Sequence, residues 1–214
     1  QTDDMTDAKK IEEQVRLLGP HFDGDVLRRT RAIYSPYARP TPCAVSRDIA
    51  YGGDVRNVLD VYCPSSTPVG ILVFVHGGGF IGGDKSEDEA FYGNIGRCFA
   101  GHGYLTILPN YRLAPRCPWP AAAHDVRDAV AWTRQYALSQ WKKELPLFVC
   151  GQSAGATHVA SWLFDHASRG CELGRVDGVL LMSGLYRAVP GLSAHAASYF
   201  GADTESYPVR SPLT

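Results

Sequence analysis

The sequence predicts an α/β domain with a mostly parallel central sheet covered by helices on both faces. Two observations predict it. Short apolar runs, such as residues 71–75 and 178–182, alternate along the chain with longer segments whose apolar residues recur at helical spacing. The runs are also continuously apolar, as expected of strands buried on both faces. A chain of 214 residues, 45% of them hydrophobic, can bury one sizeable core and is short for two domains.

Taken in order, residues 6–18 carry Ile11, Val15 and Leu18 at helical spacing, and Gly19-Pro20 ends the segment. A second helical piece covers about 24–34 before Pro36, Pro40 and Pro42 break it. Both pieces precede the first strand signals. Residues 1–42 are therefore read as an N-terminal helical cap, and residues 43–214 as the α/β core. Residues 45–51 and 58–62 read as two strands joined through the turn Gly52-Gly53-Asp54. The apolar run 71–75 ends in His76-Gly77-Gly78-Gly79, and helical residues follow at about 87–100. A strand at 104–108 leads to a helix at about 121–138, with Ala122, Val126, Val130, Thr133 and Ala137 on one face. A strand at 147–150 enters Gly151, a helix runs from Ala154 to about Ala167, and a sixth strand lies at 178–182. The remaining residues are rich in Gly, Ala, Ser and Pro and show no further strand–helix pair.

Charge excludes several classes of partner. Twenty-one basic residues against 22 acidic ones give a net charge of −1, with no field suited to nucleic acid or to a membrane surface. A small molecule is the expected ligand. The six cysteines form no C-x-x-C pair and no Cys/His cluster of zinc-site spacing, so no metal is implied and the thiols are expected to be reduced packing residues. The N-terminal stretch has no apolar signal core, and no apolar run reaches the roughly 20 residues of a membrane span. A cytoplasmic location is the expectation. Gln1 is not a translation start, so either residues upstream have been removed or Met5 opens the natural chain.

Chemistry enters with Gly151-Gln152-Ser153-Ala154-Gly155, which fits G-x-S-x-G between a strand-like Phe148-Val149-Cys150 and a helical stretch carrying Ala156, Val159, Ala160 and Leu163. A nucleophile elbow requires that strand–turn–helix setting, because a strained turn lifts the serine hydroxyl clear of the sheet. His76-Gly77-Gly78-Gly79-Phe80 stands at the end of an earlier strand. Acyl transfer builds charge on a carbonyl oxygen, and glycine lets backbone N–H donors approach that point.

These residues carry a resemblance. The order His76-Gly-Gly-Gly-Phe80, Gly83-Asp84-Lys85-Ser86, Asn110-Tyr111-Arg112-Leu113-Ala114-Pro115 and Gly151-Gln-Ser153-Ala-Gly155 is similar to the hormone-sensitive-lipase group of α/β-hydrolases, over about residues 45–214. Tyr34-Ser35-Pro36, Tyr51-Gly52 and Leu59-Asp60-Val61-Tyr62 are more similar to the kynurenine formamidase (arylformamidase) branch. The resemblance implies an α/β-hydrolase fold and carboxylic-ester hydrolysis without a cofactor. Ser153 would be the nucleophile, and the N–H groups of Gly78, Gly79 and Ala154 the oxyanion hole. His76 would hold the loop. Phe80, Tyr111 and Tyr186 are candidate walls of a pocket for an aromatic or medium acyl substrate. Hydrolysis of an N-formyl aryl amide is the alternative, and a non-catalytic ligand receptor, as the plant gibberellin receptor is on this fold, is the alternative of another class.

Two positions depart from the group's pattern. Gln152 stands where Asp or His is usual, and Arg116 where Glu is common. The resemblance also places the triad acid and histidine on two strands after the sixth. His158, His166 and His195 are expected to be surface or loop histidines, the C-terminal strands are expected to be missing from this chain, and a C-terminal companion fragment is expected to supply the Asp or Glu and the His.

Overall fold

The computed structural model describes residues 2–21, 23–38, 41–87, 89–164 and 176–213. Two helices open the chain, α1 (Thr2–Arg16) and α2 (Gly24–Tyr34). Asp23 caps α2 by accepting from Val26 N–H at 2.8 Å. The core follows as β1 (Ala44–Ala50), β2 (Val58–Cys63), β3 (Gly70–Val75), α3 (Asn94–Gly101), β4 (Tyr104–Pro109), α4 (Ala121–Trp141), β5 (Leu147–Gln152), α5 (Ala154–Phe164) and β6 (Gly178–Met182). Two further helices, α6 (Ala194–Phe200) and α7 (Tyr207–Arg210), complete the described chain.

The six strands form one sheet in the order β1-β2-β4-β3-β5-β6. β1 pairs antiparallel with β2, and β2 antiparallel with β4, while β3, β4, β5 and β6 run parallel. Strand alternation sorts the side chains onto two faces. Leu59, Val61, Ile71, Val73, Val75, Leu105 and Ile107 join one core with Val126 and Val130 of α4 and Val159 of α5. Tyr62, Leu72, Phe74, Leu108 and Cys150 join another with Ala100 of α3. Every residue of β3 is buried, which explains why it reads as a continuous apolar run. β6 differs. It pairs with β5 on one side, and Val179, Leu180 and Met182 are exposed.

The predicted helices and strands stand in the predicted order, and the parallel sheet with helices on both faces is as expected. The connection between β1 and β2 runs from Tyr51 to Asn57, longer than the turn at 52–54, and Asn57 organises it by accepting from Asp54 N–H through Oδ1. The segment after β6 holds a helix that its composition conceals. Ser193 caps α6, and Ala196, Tyr199 and Phe200 at i, i+3 and i+4 are buried. His195 therefore lies on a helix, which corrects the expectation of a loop. The five described cysteines, at 43, 63, 98, 117 and 150, are free thiols, while Cys171 and the end of the helix expected to reach Ala167 lie outside the described residues. No helix among the described residues is long and apolar enough to cross a membrane.

Candidate active site

The sheet brings the two glycine motifs together. β3 and β5 are parallel neighbours with Val75 opposite Gly151, so the loop after β3 and the turn after β5 leave the sheet side by side at its C-terminal edge. Ser153 stands between β5 and α5 with φ of 55°, a left-handed conformation that is costly for a residue with a side chain. Its N–H donates to Met182 O at 2.7 Å, which ties the turn to the end of β6. The flanking glycines are required by contact: a Cβ on Gly155 would lie 2.3 Å from Val75 O and 2.4 Å from His76 O, and one on Gly151 would lie 2.6 Å from Ala156 Cα.

The glycine loop is equally constrained. Gly78 and Gly79 have φ of 144° and 60°, and a Cβ on Gly78 would stand 1.9 Å from Gly82 O. Gly78 O instead accepts from Gly82 N–H at 3.0 Å. Among the described residues, the N–H groups of Gly78 and Gly79 have no hydrogen-bond acceptor. Gly77 packs against Gln152, whose Oε1 accepts from the Tyr92 hydroxyl at 3.2 Å, while that hydroxyl oxygen accepts from Gly77 N–H at 3.4 Å. The departure at position 152 thus has a local use, since the amide joins the serine turn to the glycine loop.

Behind the loop lies a buried polar network. His76 is 1% exposed, with Nδ1 2.6 Å from Gly77 O and Nε2 3.0 Å from Asn110 Oδ1. Burial pushes its pKa down to about 4, and its ring stacks on Tyr111 with centroids 4.5 Å apart. Asn110 Oδ1 also accepts from Lys85 N–H at 2.7 Å, and its amide donates to Asp84 at 2.7 Å. The Tyr111 hydroxyl donates to His76 O at 2.8 Å, and Arg56 donates to Tyr111 O and Gly83 O. Arg112 grips Asp125 of α4 through both side-chain and backbone donors. The motifs at 83–86 and 110–115 are thus a clamp on the glycine loop. Their spacing in the chain gives no sign of it, because each bond joins residues well apart in sequence. Arg116, the other departure, pairs with Asp54 at 2.8 Å in the β1–β2 connection.

The aromatic candidates divide. Phe80 and Tyr111 are buried, with rings committed to packing, and so present no exposed ring face to a ligand. Tyr186 is half-buried, and its hydroxyl oxygen accepts from Gly184 N–H at 3.1 Å. His158 is 1% exposed, which corrects its expected place on the surface. It faces inward from α5 because Phe80, Tyr111 and Tyr199 form an aromatic cage there, and its Nδ1 lies 3.1 Å from the Tyr199 hydroxyl. Burial, followed by the nearby His76, lowers its pKa to about 3. His195 is exposed on α6, and His166 lies outside the described residues. Among the described residues no histidine is hydrogen-bonded to the Ser153 hydroxyl, and no group of three or more His, Cys, Asp or Glu side chains is placed to hold a metal ion.

A serine at positive φ between a parallel strand and a helix, beside a glycine loop at the end of the neighbouring strand, defines an α/β-hydrolase of the hormone-sensitive-lipase-like kind. The chain belongs to the BD-FAE family, whose family model matches residues 59–165, half of its length. Curated relatives include esterase LipI of Mycobacterium tuberculosis, 31% identical over 98 residues that make 46% of this chain and 30% of LipI. Kynurenine formamidase of Salmo salar is 27% identical over 150 residues, 69% of this chain and 48% of that protein. Among solved structures, the esterase of Pyrobaculum calidifontis superposes with a TM-score of 0.65 at 22% identity, over 98% of this chain and 70% of that one. The chain spans about half or less of the length of these curated relatives.

Proposed function

We propose that this protein is a serine hydrolase that cleaves carboxylic esters through an acyl-enzyme on Ser153. The observation that carries the reading is the pairing of a left-handed Ser153 with a glycine loop whose N–H donors at Gly78 and Gly79 have no acceptor among the described residues. On this reading a base takes the Ser153 proton as Oγ attacks the substrate carbonyl. The N–H groups of Gly78, Gly79 and Ala154 stabilise the oxyanion, the alcohol leaves, and water releases the acid. Loss of one such donor costs on the order of 10²–10³ in kcat in related chemistry.

The base is not His76, which is buried behind the glycine loop against Gly77 O and Asn110, nor His158, which is caged. We assign it, with its carboxylate partner, to a C-terminal segment or companion fragment seated on the open edge of β6. The exposed apolar side chains of that strand support this. Residues 1–42 would form a cap, and Arg31 of α2 supports a seat near the loop through its 2.9 Å ion pair with Glu87 and its position over the Phe91 ring. The free thiols favour the cytoplasm.

A second reading, hydrolysis of N-formyl aryl amides, is favoured by the match to kynurenine formamidase over 69% of the chain. A fluorophosphonate probe applied to the complete protein tests the shared core of both. Ser153 should be the labelled residue, and labelling of Ser153→Ala at the wild-type rate would sink the assignment. Phenyl esters compared with N-formyl anilides then separate the two activities, and absence of turnover on both would favour a receptor.

A further inference from the structure

A side chain placed on Gly79 would find one atom within 4 Å outside its chain neighbours, and that atom is Nδ1 of His195 at 3.5 Å. The space over Gly79 is therefore open except where the His195 imidazole borders it. The pairing follows from the way α6 docks. Tyr199 stacks on Phe80, with ring centroids 4.8 Å apart and planes 10° from parallel, and its carbonyl accepts from Trp119 N–H at 2.9 Å. Ala196, Tyr199 and Phe200 are buried, so the helix is anchored along one side. His195 stands one turn before Tyr199 on the same stripe. Since Tyr199 meets Phe80, His195 meets the residue before it, Gly79. Its side chain is exposed although the helix beneath it is fixed.

We propose that His195 is a substrate-binding residue that hydrogen-bonds a polar atom one or two bonds from the scissile carbonyl, and so favours acyl groups oxygenated next to that carbonyl. This rests on the proposed acyl transfer at Ser153. A carbonyl oxygen held by the Gly78 and Gly79 N–H groups places the adjoining acyl atoms in the space over Gly79. An imidazole there offers a nitrogen to an oxygen and nothing comparable to a methylene. A site that pairs with a substrate oxygen disfavours the analogue that lacks it, because its own polar group is then left unpartnered.

The test is an isosteric pair of substrates, p-nitrophenyl methoxyacetate and p-nitrophenyl butyrate, which differ by one ether oxygen in place of a methylene. Their ratio of kcat/KM is measured on the complete protein and on His195→Leu and His195→Gln. The expected result is a fall in the methoxyacetate-to-butyrate ratio by roughly five- to tenfold in His195→Leu, the loss of one hydrogen bond, with recovery in His195→Gln. A ratio in His195→Leu unchanged from that of the wild-type protein, which itself labels at Ser153, overturns this inference and leaves the hydrolase reading standing. Equal loss on both esters in both variants also overturns it, since His195 would then act on the reaction rather than on that oxygen. If the wild-type protein neither labels nor turns over either ester, both proposals fall together.

Discussion

The ring of Tyr199 lies flat on the ring of Phe80, and the Tyr199 hydroxyl reaches His158 Nδ1 at 3.1 Å. Three elements meet in that contact: α6, the glycine loop and the helix that follows Ser153. His158 Nε2 has no partner among the described residues, so the tyrosine hydroxyl is what satisfies this buried imidazole.

Tyr199→Phe should therefore destabilise the protein although the stack survives. It leaves His158 buried without a partner, which costs about 1–3 kcal/mol. Replacing both, as Tyr199→Phe with His158→Leu, should recover much of that loss, because no polar group is then stranded. Urea unfolding of the two single variants and the double variant measures the coupling. Strict additivity would show that the two groups do not support one another.

Glycines 78 and 79 should respond differently to a methyl group. On Gly78 the new Cβ meets Gly82 O at 1.9 Å, and the loop must move. On Gly79 it finds His195 at 3.5 Å and the cost is mainly that of a left-handed backbone, about 1–2 kcal/mol. Gly78→Ala should lower kcat by on the order of 10²–10³ by displacing a donor, Gly79→Ala by less, and Gly79→Val again severely, since a branched side chain resists positive φ. Steady-state kinetics on variants with unchanged circular dichroism decide this, and near-normal kcat in Gly78→Ala would make the loop merely structural.

Acid should unfold the protein earlier than its carboxylates require. Burial holds His76 at about 4 and His158 at about 3 in the folded state, against about 6.5 when unfolded. As pH falls below 6.5 the unfolded chain takes up protons that the folded chain refuses, so stability is full above that pH and declines towards the folded values. Each histidine contributes a slope of about 1.4 kcal/mol per pH unit once its unfolded form is fully protonated. Urea midpoints between pH 6.5 and 5 isolate this from carboxylate protonation. His158→Phe should flatten the limb relative to its own stability at pH 7, and an equally steep limb would show that His158 titrates normally.

What the sequence reveals about this fold follows from how locally each feature is determined. The turn at Ser153 and the loop at 77–79 are legible because steric demands within a few residues force glycine there. β3 is legible because burial on both faces leaves no polar position. α6 is hidden by a Gly- and Ser-rich setting, although the cap Ser193 and the spacing of Ala196, Tyr199 and Phe200 carry the signal. The inward turn of His158 could not be read at all, since Tyr199, which satisfies it, lies 41 residues on and across a helix packing. The same holds for Asn110, which joins His76, Lys85 and Asp84.

The open edge of the sheet gives the last prediction. Leu180 is 59% exposed on β6, next to Val179 and Met182, and a groove of about 520 Å³ runs beside it between the sheet and α3, walled by Phe99, Ile95 and Phe148. A parallel strand is ordinarily buried on both faces, and an apolar groove of this kind invites cover. If the segment that carries the base and acid is seated there, Leu180→Lys should act at a distance. It would remove about 1.5–3 kcal/mol of apolar burial from that seat without touching Ser153 or the glycine loop. In the complete protein, fluorophosphonate labelling of Ser153 should slow and the melting temperature should fall. In residues 1–214 expressed alone, the same charge should improve solubility, because among the described residues no strand pairs with the far edge of β6. Both measurements are needed together. Wild-type labelling and an unchanged melting temperature in the complete Leu180→Lys protein would show that the catalytic partners of Ser153 are seated elsewhere.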